Sequence, residues 1–103
     1  MAGYERKTAL PPADVLQKAE EWLPAYIGLK RSKHTSHGAT YTGDEGTVVL
    51  SAHRHGPFTE VTARTDRLRT SRMDYEIQRF LNCLPYEYGD AGGPGSGDPD
   101  TVQ

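Results

Sequence analysis

Hydrophobic residues recur at helical spacing in two separate segments of the chain. The first segment is PPADVLQKAEEWLPAYIG, and a proline followed by an acidic residue near its start suits a first helical turn. Its recurring apolar positions are Val15, Ala19, Trp22, Leu23 and Tyr26. This spacing predicts an amphipathic helix, and we expect Pro24 to end it because proline cannot donate the next backbone hydrogen bond.

The second segment, SRMDYEIQRFLNCLP, carries the helical pattern more completely. Ser71 with Asp74 three residues later is typical of a helix N-cap, and Pro85 blocks continuation of the helix. The apolar positions of the segment are Met73, Ile77, Phe80, Leu81 and Leu84. We therefore predict a second amphipathic helix whose first free amide groups are already occupied by its own cap.

Between the two helical segments the pattern changes to short runs rich in Val, Thr, Tyr and Phe. Turns that contain glycine separate these runs. Because the turns are too short for a helical crossover, consecutive strands should pair antiparallel. The four predicted strands cover about residues 26–34, 38–43, 47–53 and 58–66.

These elements predict an α+β domain in the order α-β-β-β-β-α. Both helices should pack on one face of a four-stranded antiparallel meander sheet, since each apolar stripe has only the sheet as a large partner. The other face of the sheet is then left open. If YERKTAL at 4–10 adds an N-terminal strand, the element order resembles the TATA-binding-protein-like and helix-grip topologies, a resemblance that implies a fold and no function.

Composition divides the chain into a domain and a tail. A length of 103 residues suits one domain with a single small core, and we place that domain at 1–88. Residues 89–103 are rich in Gly, Pro and Asp, so we predict a disordered acidic tail. Residues 86–103 carry four acidic side chains and no Lys or Arg, whereas the whole chain has a net charge of −2. The domain itself is therefore slightly basic.

No stretch of the sequence has the length of apolar residues that a membrane span requires, and the N-terminus lacks the apolar core of a signal peptide. We expect a cytoplasmic protein without a membrane partner. Cys83 is the only cysteine, so no intramolecular disulfide can form. Since Cys83 lies beside the apolar stripe of the second helix, we expect a buried and unreactive thiol.

Four histidines fall in the strand region and form a candidate metal site. They are His34, His37, His53 and His55. In a meander the first and third hairpin turns lie at the same end of the sheet, so the two pairs can approach each other, and four imidazoles would suit zinc. The alternative is a set of solvated turn residues, because Gly56-Pro57 places His55 at a hairpin tip and His53 at a strand end.

Basic residues suggest a second candidate, an anion-binding or nucleic-acid-binding face. The residues concerned are Arg54, Arg64, Arg67, Arg69 and Arg72, with Lys30, Arg31 and Lys33 nearby in sequence. Together they could neutralise phosphates in a salt-dependent way. The alternative is a solvated basic face crossed by ion pairs to Glu60 and Asp66.

The common hydrolase, zinc-protease and nucleotide-binding motifs are absent from the sequence. We therefore expect a small non-enzymatic binding or interaction module that acts through the open sheet face, and we predict no cofactor. An uncovered antiparallel sheet favours self-association, so a homodimer is expected. The sequence does not identify a small-molecule ligand.

Overall fold

The computed structural model describes residues 2–86, which form a five-stranded antiparallel sheet and two helices. The elements, in chain order, are β1 (Ala2–Thr8), α1 (Pro12–Ile27), β2 (Lys30–Thr35), β3 (Gly38–Gly43), β4 (Gly46–His55), β5 (Phe58–Thr65) and α2 (Arg72–Asn82). The predicted α+β class and the order of helices and strands are confirmed, and the suggested N-terminal strand is present as β1. The predicted tail at 89–103 lies outside the described residues.

The sheet has the strand order β1-β5-β4-β3-β2, and every neighbouring pair is antiparallel. Strands β2 to β5 form the predicted meander through short turns. Strand β1 pairs with β5 along the whole of β1, from Ala2 opposite Thr65 to Thr8 opposite Thr59. The first and last strands of the chain are thereby joined, which leaves β1 and β2 as the two edges of the sheet.

The core lies between one face of the sheet and the two helices. Alternate residues of β4 are buried there, Val48, Leu50 and Ala52, and so are Val61 and Ala63 of β5. Because successive side chains of a strand point to opposite faces, this alternation means that both helices cover the same face of the sheet. We call this the covered face.

Helix α1 is longer than its proline suggested. Pro24 lies inside the helix, which continues to Ile27 and ends at Gly28 in a left-handed conformation, with φ 66°. The prediction that Pro24 ends α1 is therefore wrong, because one lost hydrogen bond is outweighed by burial of Leu23 and Ile27 on either side of it. Tyr26, predicted for the buried stripe, is half exposed.

Because α1 continues past Pro24, the first strand of the meander begins later in the chain than predicted. Strand β2 begins at Lys30 and not near residue 26, since α1 occupies the intervening positions. All six residues of β2 are exposed. The remaining strand predictions agree with the structure to within about two residues at each end.

Helix α2 begins and packs as predicted. Ser71 is its N-cap, and the Ser71 hydroxyl accepts a hydrogen bond from the Asp74 backbone amide at 3.1 Å. The five predicted stripe residues of this segment are all buried. Among residues 2–86, neither helix is long and apolar enough to cross a membrane.

Candidate functional site

The second face of the sheet is not covered by either helix of the described chain, and we call it the open face. Its side chains alternate with the buried ones along each strand. The residues that the strand register assigns to it are Gly3, Glu5, Lys7, Lys30, Lys33, Thr35, Gly38, Thr40, Thr42, Thr47, Val49, Ser51, His53, His55, Phe58, Glu60, Thr62 and Arg64. Polar and charged residues predominate, so this face suits a polar partner.

Positive charge exceeds negative charge on the open face. Lys7 lies on β1, Arg64 on β5, and Lys30 and Lys33 on β2, and all four side chains are exposed. None of them takes part in the ion pairs found within residues 2–86. The acidic residues on this face are Glu5 and Glu60. The open face therefore offers cations to a partner without first having to break an internal ion pair.

Hydroxyl groups occupy the middle of the open face and its end at the β3–β4 turn. Ser51 of β4 and Thr62 of β5 are hydrogen-bonded to each other across the strands, and Thr42 of β3 bonds Thr47 of β4 at 2.9 Å between the two Oγ1 atoms. A hydroxyl can both donate and accept, so each pair keeps capacity for a further bond. The centre of the face can thus hydrogen-bond an anion that the surrounding cations attract.

Two of the four histidines come into contact at one end of this face. The rings of His37 and His53 stack with their centroids 5.3 Å apart and an angle of 10° between the planes. His37 lies in the turn between β2 and β3, where its Nδ1 is 3.0 Å from the Ser36 hydroxyl. The predicted approach of the first and third turns is therefore seen for this pair.

The other two histidines are placed differently. His55 lies in β4, opposite Phe58, and therefore projects from the same face as His53. The expectation that His55 sits at a hairpin tip is wrong, because the turn needs only Gly56, with φ 61°, and Pro57. His34 pairs with Ala39, whose side chain is buried on the covered face, so His34 points away from the others.

The positions of the four histidines determine which of them could bind the same metal ion. Within residues 2–86 there is no group of three or more His, Cys, Asp or Glu side chains that could hold a metal ion. His37 and His53 by themselves would supply two of the four ligands that zinc takes in a structural site. The four-histidine site stays a hypothesis with two ligands brought together and two apart.

The five arginines named from the sequence separate into three groups. Arg64 is the one that the register assigns to the open face. Arg54 lies opposite the buried Thr59 and so belongs to the side of the helices. The remaining three lie after β5 and are held by the protein itself.

These three arginines have internal partners at the rim of the covered side. Arg67 donates from Nε to the Glu45 carbonyl at 3.0 Å, and Arg72 forms an ion pair with the Glu45 carboxylate at 2.9 Å. The Arg69 guanidinium lies over the Tyr4 ring, 4.8 Å from its centroid. Their sequence proximity to Arg64 therefore did not predict a shared surface.

Lys7 was not among the predicted site residues. The sequence suggests the strand that contains Lys7 only as an optional addition, and without the pairing of this strand to β5 no sheet face can be assigned to Lys7. The period-two alternation of Glu60, Thr62 and Arg64 against the apolar Val61 and Ala63 was the available signal for β5. It would have separated Arg64 from the other arginines.

A shallow cavity of about 180 Å³ lies at one corner of the open face. It is lined by Lys7, His55, Phe58 and Glu60, and His55 Nε2 is 3.6 Å from Glu60 Oε1. Tyr86, which follows α2, stacks on Phe58 with the ring centroids 5.2 Å apart. The residues between α2 and Tyr86 therefore pass the end of β1 and reach this corner.

Cys83 differs from its prediction. The Cys83 side chain is exposed at the end of α2, and it forms no disulfide. The expectation of a buried thiol is wrong, because the buried positions at the end of α2 are Leu81 and Leu84, on either side of it. Cys83 lies at the end of α2, on the covered side of the sheet.

Comparison of the chain with models of known protein families finds no match, and comparison with curated proteins finds none either. Function must therefore be inferred from the open face itself.

Proposed function

We propose that the protein is a non-enzymatic binding module whose open face takes an anionic strand, with single-stranded nucleic acid as the partner class. The observation that carries this proposal is the set of four exposed cations, Lys7, Lys30, Lys33 and Arg64, on one uncovered sheet face without ion-pair partners among residues 2–86. Polyanion binding is driven by such cations through release of counterions.

The shape of the face supports a single strand over a duplex. Reading of the major groove requires a protruding helix or ribbon, whereas both helices lie on the opposite side of the sheet. An uncovered sheet face with exposed rings suits unpaired bases, which stack on aromatic side chains. The stacked pairs His37–His53 and Phe58–Tyr86 supply such rings at one end of the face.

The charge of the face also favours a foreign partner over a second copy. Two open faces packed against each other would bring the cations of both copies together, and like charges repel. The predicted homodimer therefore stays a prediction, and light scattering at high protein concentration tests it. The cytoplasmic location is retained as part of the proposal.

The proposal is tested by fluorescence anisotropy with a labelled oligothymidine. We expect binding at low salt, with log K falling by about 0.7 per neutralised phosphate as log salt rises. Replacing the four cations in the variant Lys7→Gln, Lys30→Gln, Lys33→Gln, Arg64→Gln should weaken binding about tenfold or more and flatten the salt slope.

The matched control removes the same charge from the other side of the protein, in the variant Lys18→Gln, Arg54→Gln, Arg67→Gln, Arg69→Gln. This variant should bind nearly as well as the wild type. Equal losses in both variants would overturn the assignment to the open face. Retention of polyglutamate without any binding of oligothymidine would overturn nucleic acid as the partner class.

A further inference from the structure

We infer that the shallow cavity at the corner of the open face, which we call the corner cavity, recognises a guanine base of the bound strand. Glu60 and Lys7 contact the hydrogen-bonding edge of the base, and the rings of His55 and Phe58 stack on it. This inference rests on the proposed function and deepens it, because it names a base that the strand presents at one end of the face.

Glu60 places a negative charge on a face that otherwise suits an anionic partner. Its side chain is 35% exposed and lines the corner cavity, so the carboxylate is partly enclosed. A carboxylate in this position repels phosphates. The bases of a nucleic acid carry N–H donors, which a carboxylate accepts. Glu60 therefore suits the edge of a base and not the backbone of the strand.

Both carboxylate oxygens of Glu60 keep capacity for such donors. The basic nitrogen nearest to them among residues 2–86 is His55 Nε2, at 3.6 Å from Oε1. This distance exceeds the limit of about 3.2 Å for a typical N–H to oxygen hydrogen bond. A carboxylate can accept two parallel N–H bonds, one on each oxygen. Glu60 can therefore accept from two neighbouring donors of one base.

Lys7 adds a donor beside these two acceptors. It lies on β1 directly opposite Glu60 on β5, so the two Cβ atoms are about 5 Å apart on the same face of the sheet. Lys7 is exposed, and it takes no part in the ion pairs found within residues 2–86. The corner cavity thus presents two acceptors and one donor to a ligand.

Guanine is the base whose edge complements this arrangement. Its Watson–Crick edge carries the O6 acceptor, then the N1–H donor and then the N2 amine. Glu60 can accept from both donors while Lys7 donates to O6. Adenine, cytosine and thymine each present one donor group on that edge and therefore use one carboxylate oxygen. A bidentate contact that only the correct base can make is a source of base specificity.

The size and the rings of the corner cavity suit a single base. Its volume of about 180 Å³ lies below the about 300 Å³ at which pockets for drug-sized ligands begin. His55 lies opposite Phe58 in the β4–β5 pairing, and both rings line the cavity. Rings of this kind stack on bases. The cavity therefore combines a stacking surface with the polar groups that read the base edge.

Fluorescence anisotropy with matched oligonucleotides tests the inference. We compare a labelled oligothymidine with the same oligomer carrying one guanine at its centre, and we expect the guanine to tighten binding about tenfold. Hypoxanthine at the same position keeps O6 and N1–H but lacks the N2 amine, so it should lose most of this gain. Equal affinity for the guanine and hypoxanthine oligomers would overturn the bidentate contact with Glu60.

The variant Glu60→Gln tests the residue assignment. A glutamine amide supplies one acceptor oxygen, so the guanine preference should fall from about tenfold to about twofold or less. The control Glu5→Gln removes the same charge from the same face, at a residue of β1 that pairs with Thr62 and does not line the corner cavity. Both variants should bind every oligomer more tightly, but only Glu5→Gln should keep the guanine preference. An unchanged preference in Glu60→Gln would overturn the inference.

Nuclear magnetic resonance with mononucleotides separates this inference from the proposed function. Guanosine monophosphate should shift the amide signals of Lys7, Phe58 and Glu60, and adenosine monophosphate should shift them less. Equal shifts with the two mononucleotides, or oligothymidine binding without a preference for guanine, overturn the inference, and the second result leaves the proposed function in place. Selective shifts with guanosine monophosphate and no binding of any oligonucleotide keep the base site and overturn the proposed strand binding.

Discussion

The Asp74 carboxylate accepts hydrogen bonds from hydroxyl groups in three parts of the chain. Its Oδ2 accepts from Tyr4 at 2.6 Å and from Thr65 at 3.0 Å, while Oδ1 accepts from Ser71 at 2.9 Å. The residue is fully buried. Burial raises the pKa of Tyr4, and the hydrogen bond to Asp74 raises it further. Asp74 thus joins β1, the end of β5 and the start of α2.

Replacing Asp74 with alanine should therefore destabilise the protein strongly. Asp74→Ala removes the acceptor of the partly buried Tyr4 and Ser71 hydroxyls, one of two acceptors of the Thr65 hydroxyl, and part of the α2 cap, so we expect a loss of about 3 kcal/mol in the free energy of unfolding. Urea denaturation with an unchanged m-value measures this loss. The exposed Asp44→Ala is the control and should change stability by less than about 0.5 kcal/mol; a comparable loss in both variants would contradict the role given to Asp74.

The buried hydroxyl of Tyr41 makes the stability of the protein depend on pH in alkaline solution. Its side chain is buried, and its hydroxyl donates to Glu20 at 2.8 Å. Burial, followed by this bond and the charge of Glu20, raises the Tyr41 pKa. Above about pH 10 the unfolded state releases the phenol proton while the folded state keeps it, so the stabilisation present at lower pH is lost as pH rises.

We expect Tyr41→Phe to flatten this alkaline loss. The free energy of unfolding, measured in urea between about pH 9 and about pH 11, should fall less steeply in the variant, by up to about 1.4 kcal/mol per pH unit. Tyr75→Phe, at an exposed position of α2, should keep the wild-type slope. A Tyr41→Phe protein with the same slope as the wild type would show that another group controls the alkaline transition.

At the scale of elements, the end of α1 shows how packing overrides a local signal. Pro24 removes one backbone donor, yet the helix continues to Ile27 because Ile27 and then Leu29 are buried. Gly28 then terminates it, and its backbone amide donates to the Pro24 carbonyl at 3.2 Å. A glycine in a left-handed conformation is a common way to end a helix.

Substitution of Gly28 tests this ending. A Cβ added there would meet nothing within 4 Å, so the cost of Gly28→Ala is conformational and should be about 1 kcal/mol in the free energy of unfolding. Gly28→Asn should cost less, since asparagine tolerates the left-handed region. Thermal or urea unfolding of the two variants measures the order; equal stability of Gly28→Ala and wild type would mean that the chain ends α1 in another way.

Strand β2, at one edge of the sheet, has features that discourage pairing with a second copy of the chain. Its sequence KRSKHT is charged and fully exposed, and its pairing to β3 shifts register between Arg31 and Lys33. Charge and irregularity both discourage an edge strand from pairing with a second copy. The edge is therefore better suited to carry cations at the border of the open face than to extend the sheet.

At the scale of the whole molecule, the two sheet faces differ in composition: one is apolar and the other is polar and positively charged. The covered face holds the apolar core, in which residues from both helices and from β3, β4 and β5 form one cluster. The open face holds Lys7, Arg64 and the cations of β2. A polar, positively charged surface opposite the core is what the proposed binding of an anionic strand requires.

The pairing of β1 with β5 decides the size and charge of that surface. Without β1 the sheet would end at β5, and neither Lys7 nor the corner cavity would be part of the open face. The same pairing brings Tyr4 to Asp74, and the adjoining Ala9 amide donates to the Pro85 carbonyl at 3.0 Å. The path of the chain from α2 to Tyr86 thus depends on the first strand.

The sequence by itself determined the two amphipathic helices, the antiparallel meander and the existence of one uncovered face. These follow from spacing, turn residues and caps, which act over a few residues. Only the tertiary structure decided which cations share a face, since strand register places Arg64 and Lys7 on the same face while Arg67, Arg69 and Arg72 are held by internal partners. Strand register and the continuation of α1 past Pro24 depend on burial against residues far along the chain, and local patterns carry no information about those contacts.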